Sequence, residues 1–97
     1  MIPAFFHAEA ERELDEAAQF YESRVPGLGR SFSTEVERTV RLLRDYPAAG
    51  APIGAKRRRV LVDRFPYFIA YEQINDSLVI LAVGHQKRRP GYWRKRK

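Results

Sequence analysis

Hydrophobic residues recur at three- and four-residue steps through the first half of the chain, which is the period of an amphipathic helix. One stripe begins at Ala8 and ends at the sequence VPGLG (25–29), where a proline and two glycines interrupt helical structure. A second stripe runs from Leu28 to Leu43. Because only a few residues join the two patterns, we expect the two helices to pack as an antiparallel hairpin.

The second half of the chain changes to runs rich in Val, Ile, Phe and Tyr, which are typical of strands. The predicted strands are residues 2–6, 57–64, 66–74 and 77–85, and residues 47–55 are predicted to form a loop. Because residues 78–83 are apolar at every position, we expect that strand to be central and covered on both faces. The strand that begins near Arg57 carries charges and is expected nearer an edge.

The predicted element order is β-α-α-β-β-β. This order indicates an α+β fold, with the helical hairpin packed on one face of a small, mainly antiparallel sheet. The length suits one domain, residues 1–97, and we expect the basic tail 94–97 to be flexible. The other face of the sheet, bearing Arg57 and Arg59, is expected to be partly open and basic.

Several functional classes find no support in the composition. The chain has no cysteine, so neither disulfides nor thiolate metal sites are available. His7 and His85 lie far apart, and no glycine-rich phosphate loop is present, so we predict no metal and no cofactor. The N-terminus lacks a basic signal-peptide region and no apolar run reaches membrane-spanning length, which predicts a cytoplasmic protein without a membrane partner.

Charge is distributed unevenly along the chain. The net charge is +6, yet residues 1–55 contain six basic and nine acidic side chains, whereas residues 56–97 contain twelve basic and three acidic ones. Such asymmetry predicts a polyanionic partner, either nucleic acid or an acidic protein segment.

The run KRRR at residues 56–59 has two readings. Arginine forks pair with phosphate oxygens, so the run is a candidate contact with a phosphate backbone. It is equally typical of a solvated charge cluster that protects the start of a strand. Because alternate side chains on a strand point to opposite faces, no more than half of the run can contact one ligand.

The sequence VGHQKRRPGYW (83–93) contains groups that could support catalysis. His85 offers an acid or base near neutral pH, Arg88 and Arg89 offer positive charge for a phosphorane-like transition state, and Tyr92 offers a phenol. Such a set could cleave RNA through the 2′-hydroxyl. The alternative is structural: a histidine that ends a buried strand, followed by aromatic residues that cover the core.

Taken together, the segments 13–47 and 58–93 closely resemble the RelE/ParE toxin superfamily of type II toxin–antitoxin systems. The likeness covers nearly the whole chain and is greatest for the ParE-type, plasmid-stabilisation branch. It implies a fold like the predicted one and a cognate antitoxin whose acidic or amphipathic tail wraps and neutralises the toxin. Operator DNA would be contacted only indirectly, through the antitoxin.

The resemblance implies two possible modes of action. ParE-type toxins inhibit DNA gyrase without chemistry of their own, whereas RelE-type toxins are ribosome-dependent endoribonucleases that cleave mRNA. The ribonucleases also use lysines in the segment that precedes the strand beginning at Arg57. In this chain only Lys56 is available in that segment. We therefore favour inhibition of gyrase, and hence of replication. The alternatives are a ribonuclease and a non-toxic binding domain of the same fold.

Candidate residues follow from these hypotheses. If the protein is a ribonuclease, the catalytic candidates are His85, Arg88, Arg89 and Tyr92. The candidates for binding the antitoxin or the target are Arg57, Arg58, Arg59, Arg64, Lys87, Arg88, Arg89, Tyr92 and Trp93.

Overall fold

The structure is a computed structural model that describes residues 1–96. Its elements are β1 (Ala4–Phe6), α1 (Ala8–Arg24), α2 (Leu28–Asp45), β2 (Ala51–Ile53), β3 (Arg57–Leu61), β4 (Tyr67–Ile74) and β5 (Ser77–His85). The five strands form one sheet in the order β1-β5-β4-β3-β2. The β1–β5 pair is parallel and the other three pairs are antiparallel. The predicted α+β fold, a helical hairpin on a mainly antiparallel sheet, is confirmed.

The loop predicted at 47–55 contains an additional strand, β2. This strand pairs antiparallel with β3 and forms one edge of the sheet. Its three residues include Pro52, which gives almost no strand signal but is tolerated at an edge, where one side of the backbone needs no partner. The charged strand β3 therefore lies beside the edge rather than on it.

The larger core lies between the helices and the sheet. Phe32 and Leu43 of α2 are fully buried against Ile69 and Ile80 of the two longest strands. Burying a side chain of this size stabilises the fold by roughly 1.5–3 kcal/mol, and with no disulfide in the chain this core is the main source of stability.

A second, smaller core covers the opposite face of the sheet, which the sequence predicted to be partly open. Phe68 and Leu81 are buried there beneath Trp93, whose side chain is 3% exposed. The residues after β5 thus fold back over the sheet. Strand β5 lies inside the sheet, between β1 and β4, and has buried side chains towards both faces, as predicted.

Two residues of the basic tail make contacts with the folded domain. The carbonyl oxygen of Arg94 accepts a hydrogen bond from Arg57, and the guanidinium of Arg96 forms an ion pair with Glu13 of α1. The side chain of Arg94 is exposed, whereas that of Arg96 is packed against α1. Lys97 lies outside the described residues. Within residues 1–96, neither helix is both long enough and apolar enough to cross a membrane.

Candidate functional site

Strand β3 divides its three arginines between the two faces of the sheet. Arg57 and Arg59 lie opposite Glu72 and Ala70 of β4, on the face that Trp93 covers, whereas Arg58 lies opposite Tyr71 on the helix side. This division follows from the two-residue repeat of a strand. As the sequence predicted, the three arginines therefore cannot all contact one ligand.

Arg57 is held by groups of its own chain. Its Nε donates to Oε1 of Glu72 at 3.1 Å, and its Nη1 donates to the carbonyl oxygen of Arg94 at 2.7 Å. The guanidinium also lies 5.4 Å from the centre of the Trp93 ring. Arg59 stacks on Phe68, with 4.2 Å between the guanidinium carbon and the ring centre. Arg57 thus supports the segment after β5, Arg59 packs on β4, and both give this face positive charge.

On the other face, Arg58 is held by the loop that follows α2. Its Nη1 donates to the carbonyl oxygens of Ala48 at 3.2 Å and Gly50 at 2.8 Å. The neighbouring Tyr71 hydroxyl donates to the Pro47 carbonyl at 2.7 Å and accepts from the Gly50 amide at 2.9 Å. A side chain at residue 50 would collide with this hydroxyl, so the glycine permits the close approach.

The residues after β5 bring together Arg88, Tyr92 and Arg96. The guanidinium carbons of Arg88 and Arg96 lie 3.9 Å and 5.1 Å from the centre of the Tyr92 ring. Packing of this ring depends on Gly84, where a β-carbon would overlap the Tyr92 hydroxyl and the ring of Phe68. We call the set formed by Arg88, Tyr92, Trp93 and Arg96 the cation–aromatic cluster.

Glu13 anchors this cluster from α1. Its Oε2 accepts from the Tyr92 hydroxyl at 2.7 Å, and its two oxygens accept from Nη1 and Nη2 of Arg96 at 2.8 Å and 3.0 Å. Its Oε1 also accepts from the backbone N–H of Val83 at 3.0 Å. Strand β1 pairs with β5 only as far as Ile80, so this carboxylate takes the place of a neighbouring strand at Val83.

Sequence reasoning missed Glu13, because a charged residue within an amphipathic helix is usually on its solvated face. Its side chain is buried, on the same helix face as Ala10 and Ala17. The spacing of three and four residues between these positions was the available signal, since it puts Glu13 on the stripe that faces the core.

The environment of Tyr92 makes its phenol a poor proton donor or acceptor. Burial raises the pKa of Tyr92 above its usual value, and the hydrogen bond to the Glu13 carboxylate raises it further. The same carboxylate raises the pKa of Arg96. The phenol therefore remains neutral, with its proton directed at Glu13.

Within residues 1–96, no hydrogen bond joins His85 to Tyr92 or Glu13, although Glu13 lines the same cavity as His85. Its Nδ1 accepts from the backbone N–H of Lys87 at 3.0 Å, and its ring packs edge-on to Tyr67 with 5.2 Å between centres. His85 and Arg88 line a cavity of about 180 Å³, together with Phe20 and other residues of α1. A histidine next to an arginine in a cleft is chemically competent for acid–base work.

The remaining candidates are exposed side chains. Arg64 lies in the turn before β4 with a φ of 71°, and Lys87 and Arg89 lie in the turn after β5. The carbonyl of Arg89 accepts from the backbone N–H of Tyr92 at 3.3 Å, so its backbone shapes the segment while its side chain is exposed. Residues 1–96 contain no group of three or more His, Asp or Glu side chains arranged to hold a metal ion.

Comparisons with known proteins agree with this architecture. Toxin ParE2 of Mycobacterium tuberculosis, from strains CDC 1551 / Oshkosh and ATCC 25618 / H37Rv, is 28% identical to the chain over 85 residues. That alignment covers 87% of this chain and 81% of the relative. The fold matches a structure titled "Chromosomal ParDE TA system from P. aeruginosa" with a TM-score of 0.77 and 18% identity, over 88% of this chain and 96% of the other.

A family match covers most of the sequence. Residues 4–90 match the family described as "ParE toxin of type II toxin-antitoxin system, parDE". This range includes both helices, all five strands and the start of the segment that follows them. The chain therefore belongs to the ParE toxin family of type II toxin–antitoxin systems.

Proposed function

We propose that this ParE-family toxin inhibits DNA gyrase by binding it, and that a cognate antitoxin with an acidic tail neutralises the toxin. The observation that carries the proposal is the hydrogen bond between Tyr92 and Glu13, at 2.7 Å. It commits the phenol to an internal carboxylate, so the segment after β5 supplies a fixed cationic and aromatic surface instead of a reactive phenol. Such surfaces recognise partners through charge and stacking.

Charge supports the antitoxin part of the proposal. The twelve basic side chains among residues 56–97 give the second half of the chain a strong positive field. An acidic peptide would be attracted to this field and could fold as it binds. The side chains of Arg64, Lys87 and Arg89 are exposed and form no ion pair within residues 1–96, so they are available to a partner.

A supercoiling assay with purified gyrase tests the gyrase proposal. We expect the purified chain to inhibit supercoiling or to trap cleaved DNA with gyrase, and the effect to be lost when the antitoxin is added. Supercoiling that continues unchanged up to a large molar excess of folded protein would overturn the proposal.

One observation favours a second candidate, ribosome-dependent cleavage of mRNA. His85 and Arg88 line the same cavity, whose lining also includes Phe20, which is 50% exposed. Primer extension on mRNA from cells that express the chain tests this candidate. Cuts at fixed codon positions that disappear in His85→Ala would establish it over gyrase inhibition.

A further inference from the structure

A small cavity lies between the loop that follows α2 and strands β3 and β4. Its volume is about 170 Å³, and it is lined by Pro47, Ala48, Lys56, Arg58, Tyr71 and Gln73. It opens on the helix side of the sheet, away from Trp93 and the cation–aromatic cluster. It is therefore separate from the site described above.

Arg58 is fixed at this cavity with three of its five N–H donors unused among the described residues. Within residues 1–96, the hydrogen bonds of its side chain run through Nη1 alone, to the carbonyl oxygens of Ala48 and Gly50. The guanidinium edge formed by Nε and Nη2 remains available, and that edge matches the two oxygens of a carboxylate. Two backbone anchors hold the group in place, so little side-chain entropy is lost when a ligand binds.

The other donors around the cavity suit an anion. Lys56 adds a second positive charge, and Gln73 adds an amide. Within residues 1–96, four other arginines already have carboxylate partners: Arg12, Arg38, Arg57 and Arg96. Among the described residues, the ion pairs of the fold do not include Arg58 or Lys56.

The size of the cavity favours a small ligand. The carbonyl oxygens of Pro47, Ala48 and Gly50 at this end of the sheet already accept from Tyr71 or Arg58, so the free edge of the Arg58 guanidinium is the group left to bind an anion. The cavity also has room for one small planar group rather than for a nucleotide.

We infer that this cavity is a carboxylate-binding socket, whose occupant is an Asp or Glu side chain of an acidic partner peptide. The identity of that partner rests on the proposed function, but carboxylate binding by the socket does not. The guanidinium edge of Arg58 takes the two oxygens, and Lys56 and Gln73 complete the site.

A titration of isotopically labelled protein with sodium acetate tests the socket directly. Sodium chloride at equal ionic strength is the control, and the readouts are the NMR signals of the Gln73 side-chain amide and the Gly50 backbone amide. We expect both signals to shift and saturate with acetate but not with chloride. Shifts that fail to saturate, or that chloride reproduces, would overturn the inference.

Substitutions show whether Arg58 is responsible. Arg58→Gln is expected to weaken acetate binding by at least about tenfold, the size of one charge-assisted hydrogen-bond pair. Arg30→Gln makes the same change of charge on an exposed side chain of α2 and should leave binding unchanged. Because Arg58→Gln could loosen the loop, Lys56→Gln serves as a second variant, with an expected loss of about threefold. If all three variants bind acetate as tightly as the wild type, the assignment of the carboxylate site to Arg58 and Lys56 is refuted.

Two further probes separate the possible ligands. Inorganic phosphate that saturates the same signals at lower concentration than acetate would overturn the preference for a carboxylate. An acetylated tetraglutamate peptide should displace acetate, whereas its tetraglutamine counterpart should not. If acetate binds but the glutamate peptide does not displace it, the inference that a peptide carboxylate occupies the socket is wrong. Whether the chain is toxic is decided separately, by growth and supercoiling.

Discussion

The phenol oxygen of Tyr92 lies 2.7 Å from Oε2 of Glu13, across 79 positions of sequence. The same carboxylate also binds the guanidinium of Arg96 and the backbone N–H of Val83. One buried acid thus joins helix α1, strand β5 and the segment after β5. Its loss would affect both the stability of the fold and the surface through which the toxin is proposed to act.

We predict that Glu13→Gln destabilises the protein by about 3 kcal/mol, because the substitution leaves the largely buried guanidinium of Arg96 without its counter-charge. Urea unfolding followed by circular dichroism measures the change. Glu16→Gln is the matched control on the same helix. Glu16 is exposed and pairs with Arg12, so its replacement should cost no more than about 0.5 kcal/mol.

A double-mutant cycle checks the origin of this effect. In an Arg96→Met background, Glu13→Gln should be less damaging by about 1–3 kcal/mol, since the unpaired charge is then absent. Additive effects of the two substitutions would contradict the proposed coupling between Glu13 and Arg96.

A second prediction separates binding from catalysis. If the toxin acts by binding gyrase, His85→Ala and Tyr92→Phe should still arrest growth, because neither removes the exposed charges of the segment after β5. Arg89→Glu should weaken the arrest, since it reverses an exposed charge. The measurement is colony formation over a range of inducer concentrations, with protein levels checked by immunoblotting. Loss of arrest in His85→Ala at equal protein level would instead favour cleavage of RNA.

A third prediction concerns Glu35, a carboxylate of α2 that is 3% exposed. Its Oε1 pairs with Arg38 at 3.2 Å, but its buried Oε2 has no hydrogen-bond partner within the described residues. Burying an unsatisfied polar atom costs about 1–3 kcal/mol. Glu35→Met, which removes that atom at similar volume, should therefore raise the free energy of unfolding by about 1 kcal/mol.

The control for this substitution is Glu37→Met, at an exposed position two residues later in the same helix. Its effect should stay within about 0.5 kcal/mol. A destabilised Glu35→Met variant would mean that Oε2 has a partner, such as an ordered water, that the substitution removes.

A fourth prediction follows from the junction of the two helices. Oε2 and Oε1 of Glu22 accept from the backbone N–H groups of Gly27 at 2.8 Å and Gly29 at 3.0 Å. These hydrogen bonds lower the pKa of Glu22 below its usual value of 4.5. Because the pKa is lower in the folded state, the stabilisation is present above the unfolded-state value and is lost as pH falls through the folded-state value.

Thermal unfolding of the wild type and Glu22→Gln at several pH values measures this effect. The wild type should have the higher Tm at neutral pH, and the gap should narrow steadily as the pH falls below about 4.5. A gap that stays constant over the acidic range would show that ionisation of Glu22 does not contribute.

Much of the fold could be predicted from local patterns of hydrophobic residues. The apolar stripe from Leu28 to Leu43 predicted α2, the sequence VPGLG predicted the break between the helices, and the apolar run at 78–83 predicted a strand inside the sheet. These features depend on the spacing of hydrophobic residues within one segment. That spacing is set by residues that are close together in the sequence. The three-residue strand β2 was missed, because its pairing with β3 supplies what its own sequence lacks.

The candidate site could be predicted only in part from the sequence. The sequence alone determined which groups are present: a basic second half, an arginine run on a strand and a histidine followed by arginines and aromatic rings. Only the tertiary structure decided that Arg57 lies on the face that Trp93 covers and Arg58 on the helix side, that Tyr92 donates to Glu13 and that Arg58 borders a separate cavity. The physical reason is that these relationships depend on strand register and on contacts between residues far apart in the chain, which no local period encodes.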